Sequence, residues 1–238
     1  MVNQSFRESR RLFLQQAAFA TAAFATPGLF AEELKQTAKL TEGPFYPDKL
    51  PLDTDNDLLV INEKITPAVG EITHLSGRIL SKTGSPIRNA FVEIWQVDSH
   101  GSYIHSDSAN RNKLDKNFQG YGRFLTDAKG NYYFRTIKPV TYPGRTPHIH
   151  IAVSKNGKRI FTSQILVKGE ARNERDGVFR RLREQTDRDT ILADFKPIKD
   201  SRFGELAADF NVVLGHTAQE LEGEMKGGIG KPQWRRRS

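Results

Sequence analysis

The chain of 238 residues contains no cysteine. Disulfide frameworks, thiolate zinc sites, iron–sulfur clusters and cysteine nucleophiles are therefore excluded together. Long apolar runs are also missing, and mean hydropathy is −0.57. The Ala-rich stretch Ala17–Ala25 is bounded by Gln15-Gln16 and Pro27-Gly28. That leaves less than the roughly 20 apolar residues a spanning helix needs, so stable membrane insertion is not expected. The body has little excess of one charge sign. The formal net charge is +8, yet residues 1–31 carry three arginines against Glu8 and residues 223–238 carry five basic side chains against Glu224. Charge gathered at two chain ends is a poor footprint for nucleic acid, which needs a basic face or stripe, and no nucleic-acid partner is expected. What is present, 37% hydrophobic and 27% charged residues, suits a globular chain long enough to bury a core.

The N-terminus reads as an address. Ser9-Arg10-Arg11-Leu12-Phe13-Leu14 precedes the small-residue stretch and its Pro27-Gly28 break. It resembles a twin-arginine export signal, with cleavage after Ala25 or after Ala31. The resemblance implies passage through the export machinery in a folded state and a periplasmic or secreted product. Four segments are expected: a signal peptide at 1–31, an N-terminal arm at 32–70, a catalytic β-sandwich at 71–215 and a basic tail at 216–238.

The body reads as all-β. Thr41-Glu42-Gly43-Pro44-Phe45-Tyr46-Pro47 and the Asp-rich stretch after it are turn-dense, which predicts an irregular arm. Residues 72–82 alternate loosely up to the turn Thr83-Gly84-Ser85-Pro86, and 90–97 are rich in β-branched and aromatic residues. Phe124–Thr126 and Tyr132–Ile137 flank Asp127-Ala128-Lys129-Gly130 and read as a hairpin. His148–Val153 and Arg159–Val167 flank Asn156-Gly157, the strongest short hairpin signal. Phe179, Leu182 and Ile191 suggest one short surface helix within 175–193, and 209–214 reads as the last strand. The expected fold is an antiparallel β-sandwich.

One strand carries chemistry. Side chains alternate across a strand, so Ile149, Ile151 and Val153 share the core face while His148 and His150 share the other. Two imidazoles so placed can reach one metal ion. A bare His-x-His is more often a solvent-facing pair on an exposed sheet face. The run Thr141-Tyr142-Pro143-Gly144-Arg145-Thr146-Pro147 shifts that balance, because its prolines and glycine make a tight excursion that brings Tyr142 and Arg145 close to the histidines. A phenol ionises near pH 10 in water unless a cation pulls it down. Hard phenolate donors favour ferric iron.

Phe91-Val92-Glu93-Ile94-Trp95-Gln96, Gly101-Ser102-Tyr103, Asn117–Arg123, Leu125-Thr126-Asp127, Tyr133–Pro139 and Arg145–His150 together resemble the intradiol ring-cleavage dioxygenases, and most of all their protocatechuate branch. The resemblance spans roughly 41–215 and is densest at 90–167. It implies one non-haem Fe(III) per chain, bound by Tyr103, Tyr142, His148 and His150. It also implies a catalytic Arg145 that orients the ring and offsets developing negative charge, a site-lining Gln164, and a Tyr142 that doubles as a base for a substrate proton. The implied reaction opens a catechol-type ring between its hydroxylated carbons with O2, both oxygen atoms entering a muconate-type diacid. The excursion from Tyr142 to His148 is shorter than in the family's protocatechuate and catechol enzymes, so the pocket need not follow theirs. In the protocatechuate branch a ligand-free partner chain completes the pocket; here one chain carries the whole ligand set, which leaves homo- and hetero-oligomers both open.

Two rival readings stand beside this one: a non-catalytic exported β-sandwich binding module, and a periplasmic copper- or zinc-binding protein using the same histidines. Neither needs both Tyr103 and Tyr142.

Overall fold

Ten strands form two five-stranded sheets in the computed structural model, which describes residues 33–61 and 66–217 with the single positions 221 and 229. The signal read at 1–31 and most of the tail read from 216 lie outside the described residues. The fold below belongs to the unit that begins at Leu34.

The strands are β1 (Ile72–Leu80), β2 (Phe91–Trp95), β3 (Tyr121–Leu125), β4 (Asn131–Ile137), β5 (His148–Lys155), β6 (Lys158–Val167), β7 (Leu192–Ala193), β8 (Lys196–Pro197), β9 (Leu206–Asp209) and β10 (Val212–Val213). One sheet runs β3-β2-β5-β6-β7; in the other, β1 is the hub that pairs β4, β9 and β10, with β8 outside β9. Alternating apolar residues explain why the sheets stack. Val92, Ile94, Ile149, Ile151, Val153, Phe161 and Ile165 from one sheet meet Leu75, Ile79, Phe134, Ala208 and Val212 from the other in one buried core. The fold is an all-β sandwich with mixed sheets, because β9 and β10 join β1, and β7 joins β6, in parallel.

The Asn156-Gly157 hairpin forms, with both residues at positive φ of 51° and 71° as its tight turn requires. The segment read as a hairpin around Asp127–Gly130 is different. Its strands part company: β3 pairs with β2 and β4 with β1, so the turn carries the chain from one sheet to the other. Turn chemistry alone does not distinguish the two, since Asp127 Oδ1 accepts the Lys129 and Asn131 amides in either case. The helix expected within 175–193 is only Gln185–Asp189, here α1. Short 3-10 turns at Ala171–Arg175 and Phe179–Arg181 precede it, and Phe179 and Ile191 pack against Leu166. The last strand is split, Phe210-Asn211 separating β9 from β10.

The arm is irregular, as its turn content predicts, but it is fastened down. Leu40 donates its amide to the Thr162 carbonyl and Thr37 to that of Val213. Tyr46 is buried against Trp95 and Tyr121.

Candidate active site

Register builds the site. Across four strands, Tyr121 pairs Trp95, Trp95 pairs His150 and His150 pairs Gln164, all on the face turned away from the sandwich core. This face is not open to solvent. The arm and the loops between strands cover it, and His148 and His150 are 1% and 2% exposed. The reading of the histidines as a solvent-facing pair is therefore corrected by their burial.

Three polar atoms converge. His148 Nε2 and His150 Nε2 lie 3.2 Å apart, and Tyr103 Oη lies 3.3 Å from the first and 3.1 Å from the second. Tyr103 comes from the long loop after β2. Asp98 shapes that loop by accepting the His100, Ser102 and Asp115 amides, and Ser108 Oγ holds the Tyr103 amide at 2.7 Å. Gly101, at φ 74°, lets the loop pass close to the next segment, where a Cβ would meet the Thr141 carbonyl at 3.0 Å.

Tyr142 and Arg145 arrive on the excursion before β5. Tyr142-Pro143-Gly144-Arg145 is a single β-turn, closed by the Arg145 amide on the Tyr142 carbonyl at 3.0 Å. Proline at its second position and Gly144 at φ 80° at its third suit a type II turn. The turn sets the two side chains together: Arg145 Nη1 is 3.5 Å from Tyr142 Oη. The Tyr142 ring lies 5.4 Å from that of Tyr103 and 5.6 Å from that of His148. Arg145 Nη2 donates to Gln164 Oε1 at 2.5 Å, and Gln164 gives its own amide to the Thr41 carbonyl of the arm. All six residues singled out in the sequence, Tyr103, Tyr142, Arg145, His148, His150 and Gln164, thus belong to one cluster.

Protonation follows from the partners. His148 Nδ1 lies 2.7 Å from the Thr146 carbonyl, which can only accept, so that nitrogen carries the proton and Nε2 presents a lone pair to the cluster. Burial, with Arg145 nearby, pushes the His148 pKa down to about 3. Burial and the adjacent His148 push His150 well below its ordinary value. Both imidazoles are therefore neutral at physiological pH. Burial, reinforced by the Tyr142 phenol, raises Tyr103 well above its ordinary range. The His150 ring stacks flat on Trp95, centroids 4.8 Å apart, and its buried Nδ1 has no hydrogen-bond partner among the described residues.

Tyr103, His148 and His150 suit a hard cation: all three are buried, their Oη and Nε2 atoms meet in one place, and a cation there would draw the proton off a phenol that burial otherwise keeps neutral. Among the described residues no group of three or more histidine or acidic side chains could hold a metal, so phenols would have to complete any coordination shell here.

Several supporting residues are not evident from the sequence. Asp176, whose side chain is fully buried, accepts Arg145 Nε at 2.8 Å and the Thr146 amide at 3.0 Å. Burial opposes its ionisation, but the hydrogen bonds from Arg145, Thr146 and Phe179 outweigh this and hold its carboxyl below the usual range. Phe45 of the arm stacks on Tyr103 at 5.1 Å and meets Tyr142 edge-on. Behind Trp95, Arg159 donates to Glu42 and to Glu93, each at 2.6 Å, and Glu93 also accepts the Tyr46 and Tyr121 hydroxyls. Of these, only Glu93 and Tyr121 lay in a motif that carried the resemblance; Asp176, Phe45, Glu42 and Arg159 carried no functional signal of their own. His105 is buried beside Phe45 but bonds locally to the Asp107 amide.

Similar proteins share this scaffold. A family model described as Dioxygenase (Dioxygenase_C) matches residues 41–215. The chain is 34% identical over 201 residues to the protocatechuate 3,4-dioxygenase beta chain of Burkholderia cepacia, covering 79% of this chain and 84% of that protein. It is 30% identical over 152 residues to catechol 1,2-dioxygenase 2 of Acinetobacter lwoffii, covering 56% and 52%. In structure it resembles the dioxygenase domain of a carbohydrate-binding fusion protein from Streptomyces sp. SirexAA-E, with TM-score 0.59 and 25% identity over 77% of this chain and all of that one. Catechol 1,2-dioxygenase from Acinetobacter sp. ADP1 shares the fold at TM-score 0.59 and 22% identity, over 94% of this chain and 73% of that one. With the family model matched over most of its length and these relatives agreeing in kind, the chain belongs to the intradiol ring-cleavage dioxygenases.

Proposed function

We propose that this enzyme opens a catechol-type ring between its two hydroxylated carbons with O2 at one ferric ion per chain, for which Tyr103, Tyr142, His148 and His150 are the ligands. The observation that carries this is the approach of Tyr103 Oη to both imidazole Nε2 atoms at 3.1–3.3 Å, beside Tyr142. When bound, ferric iron supplies the Lewis acidity that favours an ionised diol over its neutral form. The protein's own groups do the rest. Tyr142, only half-buried beside Arg145, would in its ionised form be the group placed to take a substrate hydroxyl proton on Oη and so return to a neutral phenol. Arg145 keeps its charge because Asp176 and the neighbouring phenols more than offset the cost of burying it. Its Nη groups, held against Tyr142 and Gln164, would thus stand as fixed donors beside the ring, where negative charge would develop. Gln164, tied to Thr41, holds Arg145 at that angle. Phe45 and the arm keep water from the far side. Both atoms of O2 enter the ring-opened diacid, so no external reductant is needed.

The test is the visible spectrum and iron content of the purified protein, followed by oxygen uptake on a panel of catechols. A coloured protein with about one iron per chain and stoichiometric O2 consumption is expected; a colourless, iron-free protein that consumes no O2 with any catechol overturns the reading.

We also infer that the enzyme is exported through the twin-arginine route, on the strength of Ser9-Arg10-Arg11-Leu12-Phe13-Leu14. Folding before export suits a site whose donors come from segments as far apart as Tyr103 and His150. Replacing Arg10 and Arg11 by lysine should hold the protein in the cytoplasm, and equal periplasmic yield from that variant would refute export by this route.

A further inference from the structure

We propose that Trp95 is a positioning residue for His150: its indole face, in place of a hydrogen bond, sets the angle at which that imidazole presents Nε2 to the cation. This rests on the ring-opening function above and its ligand set, and adds a residue outside that set.

The two imidazoles are held in different ways. A metal-bound histidine ordinarily donates its second ring nitrogen to a carbonyl, carboxylate or water, which fixes the ring. His148 follows that pattern, with Nδ1 2.7 Å from the Thr146 carbonyl. His150 does not. Its Nδ1 is buried and has no hydrogen-bond partner among the described residues. The strand fixes where the side chain leaves the backbone, yet the last torsion of a histidine is broad and leaves the ring plane open. Packing must therefore hold that plane.

Trp95 lies directly opposite His150 in the register of β2 and β5. The two rings are nearly parallel, 5° between planes and 4.8 Å between centroids. Turning the imidazole out of that plane would push its edge into the indole, and a close-packed interior has no room for it. The arm closes the ring's edge: a Cβ on Gly43 would lie 3.5 Å from His150 Cε1, so the backbone there runs alongside the imidazole. The indole is itself fixed. Trp95 is fully buried, and Tyr46 meets it edge-on at 5.1 Å. The Tyr46 hydroxyl donates to Glu93 at 2.6 Å, and Glu93 in turn accepts Arg159. Trp95 Nε1 is buried with no acceptor among the described residues. A buried indole usually finds a partner for its N–H, so what Trp95 contributes here is its face.

The experiment follows iron release from the iron-loaded protein into excess EDTA, as loss of the visible band, in wild type, Trp95→Phe, Trp95→Met and Ile94→Ala. Ile94 is the control, because it neighbours Trp95 on β2 but packs into the sandwich core. Trp95→Met should release iron at least about tenfold faster than wild type, the scale felt when a metal-bound imidazole loses its support. Trp95→Phe keeps a flat face and should release it at close to the wild-type rate. Ile94→Ala should unfold at lower urea yet hold iron as the wild type does. Equal release from wild type and Trp95→Met overturns the proposal, as does release from Trp95→Phe or Ile94→Ala as fast as from Trp95→Met. A wild type that takes up no iron fails the ring-opening function and this role together; iron held equally by all four proteins removes only the role of Trp95. If Trp95→Met does not fold, proton NMR of the protein loaded with diamagnetic Ga(III) decides. The His150 ring protons, flat against the indole, should resonate upfield of those of His148, and Trp95→Phe should move the His150 signals alone. Equal shifts for the two histidines would overturn the stacking.

Discussion

Asp176 takes the Nε–H of Arg145 at 2.8 Å, and so leaves both Nη groups of that arginine turned to Tyr142 and Gln164. In the proposed mechanism the acid is thus a positioning residue acting through the arginine. Asp176→Asn preserves shape while removing the charge that fixes the guanidinium. We expect kcat/KM to fall at least about tenfold with iron content unchanged, since misplacing one pre-set donor costs this much or more. Steady-state kinetics beside metal analysis check it; full activity in the variant would remove Asp176 from the machinery.

The same carboxyl gives stability a pH dependence of known sign. Its folded pKa is depressed, so its stabilisation is complete above the unfolded value of roughly 4 and is lost as pH falls through the folded one. Urea melts of wild type and Asp176→Asn should differ most at pH 6–7 and converge below about pH 4. A gap that stays constant down to pH 3 would contradict this.

Under the proposed ligand set, substitutions should separate metal binding from turnover. If Tyr103 and His148 are ligands, His148→Ala and Tyr103→Phe should lose most of the iron and of the visible band that the proposal expects in the wild type. Arg145→Ala should keep both, while kcat falls by about a hundredfold, the scale of losing one fixed donor to developing charge. An Arg145→Ala enzyme running at the wild-type rate would mean that its place beside Tyr142 has no catalytic use.

Arg159, 1% exposed at its side chain, sits between Glu42 of the arm and Glu93 of β2. Arg159→Ala leaves two acids buried without their cation, which should cost about 3–5 kcal/mol in chemical denaturation. Glu42→Gln weakens only the arm's attachment, so proteolysis within residues 34–50 should speed up while the melting temperature moves less. Equal proteolysis rates in wild type and Glu42→Gln would show that the arm is held by its other contacts.

Alternation in His148–Val153 was enough to assign faces, because side chains along a strand point to opposite sides whatever the strand pairs with. Asn156-Gly157 likewise named its own hairpin, since the φ > 0 it needs is a local property. Tyr103, Tyr142, Arg145, His148, His150 and Gln164, which the fold brings together, were each singled out by their motifs. Pairing was not legible in this way. The turn at Asp127–Gly130 has the same local bonds whether it closes a hairpin or crosses between sheets, and only the choice of β1 as partner for β4 decides which. Nor could any local pattern announce that the second face of β5 is buried, that Asp176 would reach Arg145 across 31 positions, or that Glu42 would meet Arg159 across 117. Such contacts depend on where distant segments are brought by strand register and by burial of the core. Local motifs were enough to name the residues that the fold gathers; tertiary packing decided which of them are dry, how their protons are arranged and what holds them in place, because each of those properties depends on distant segments.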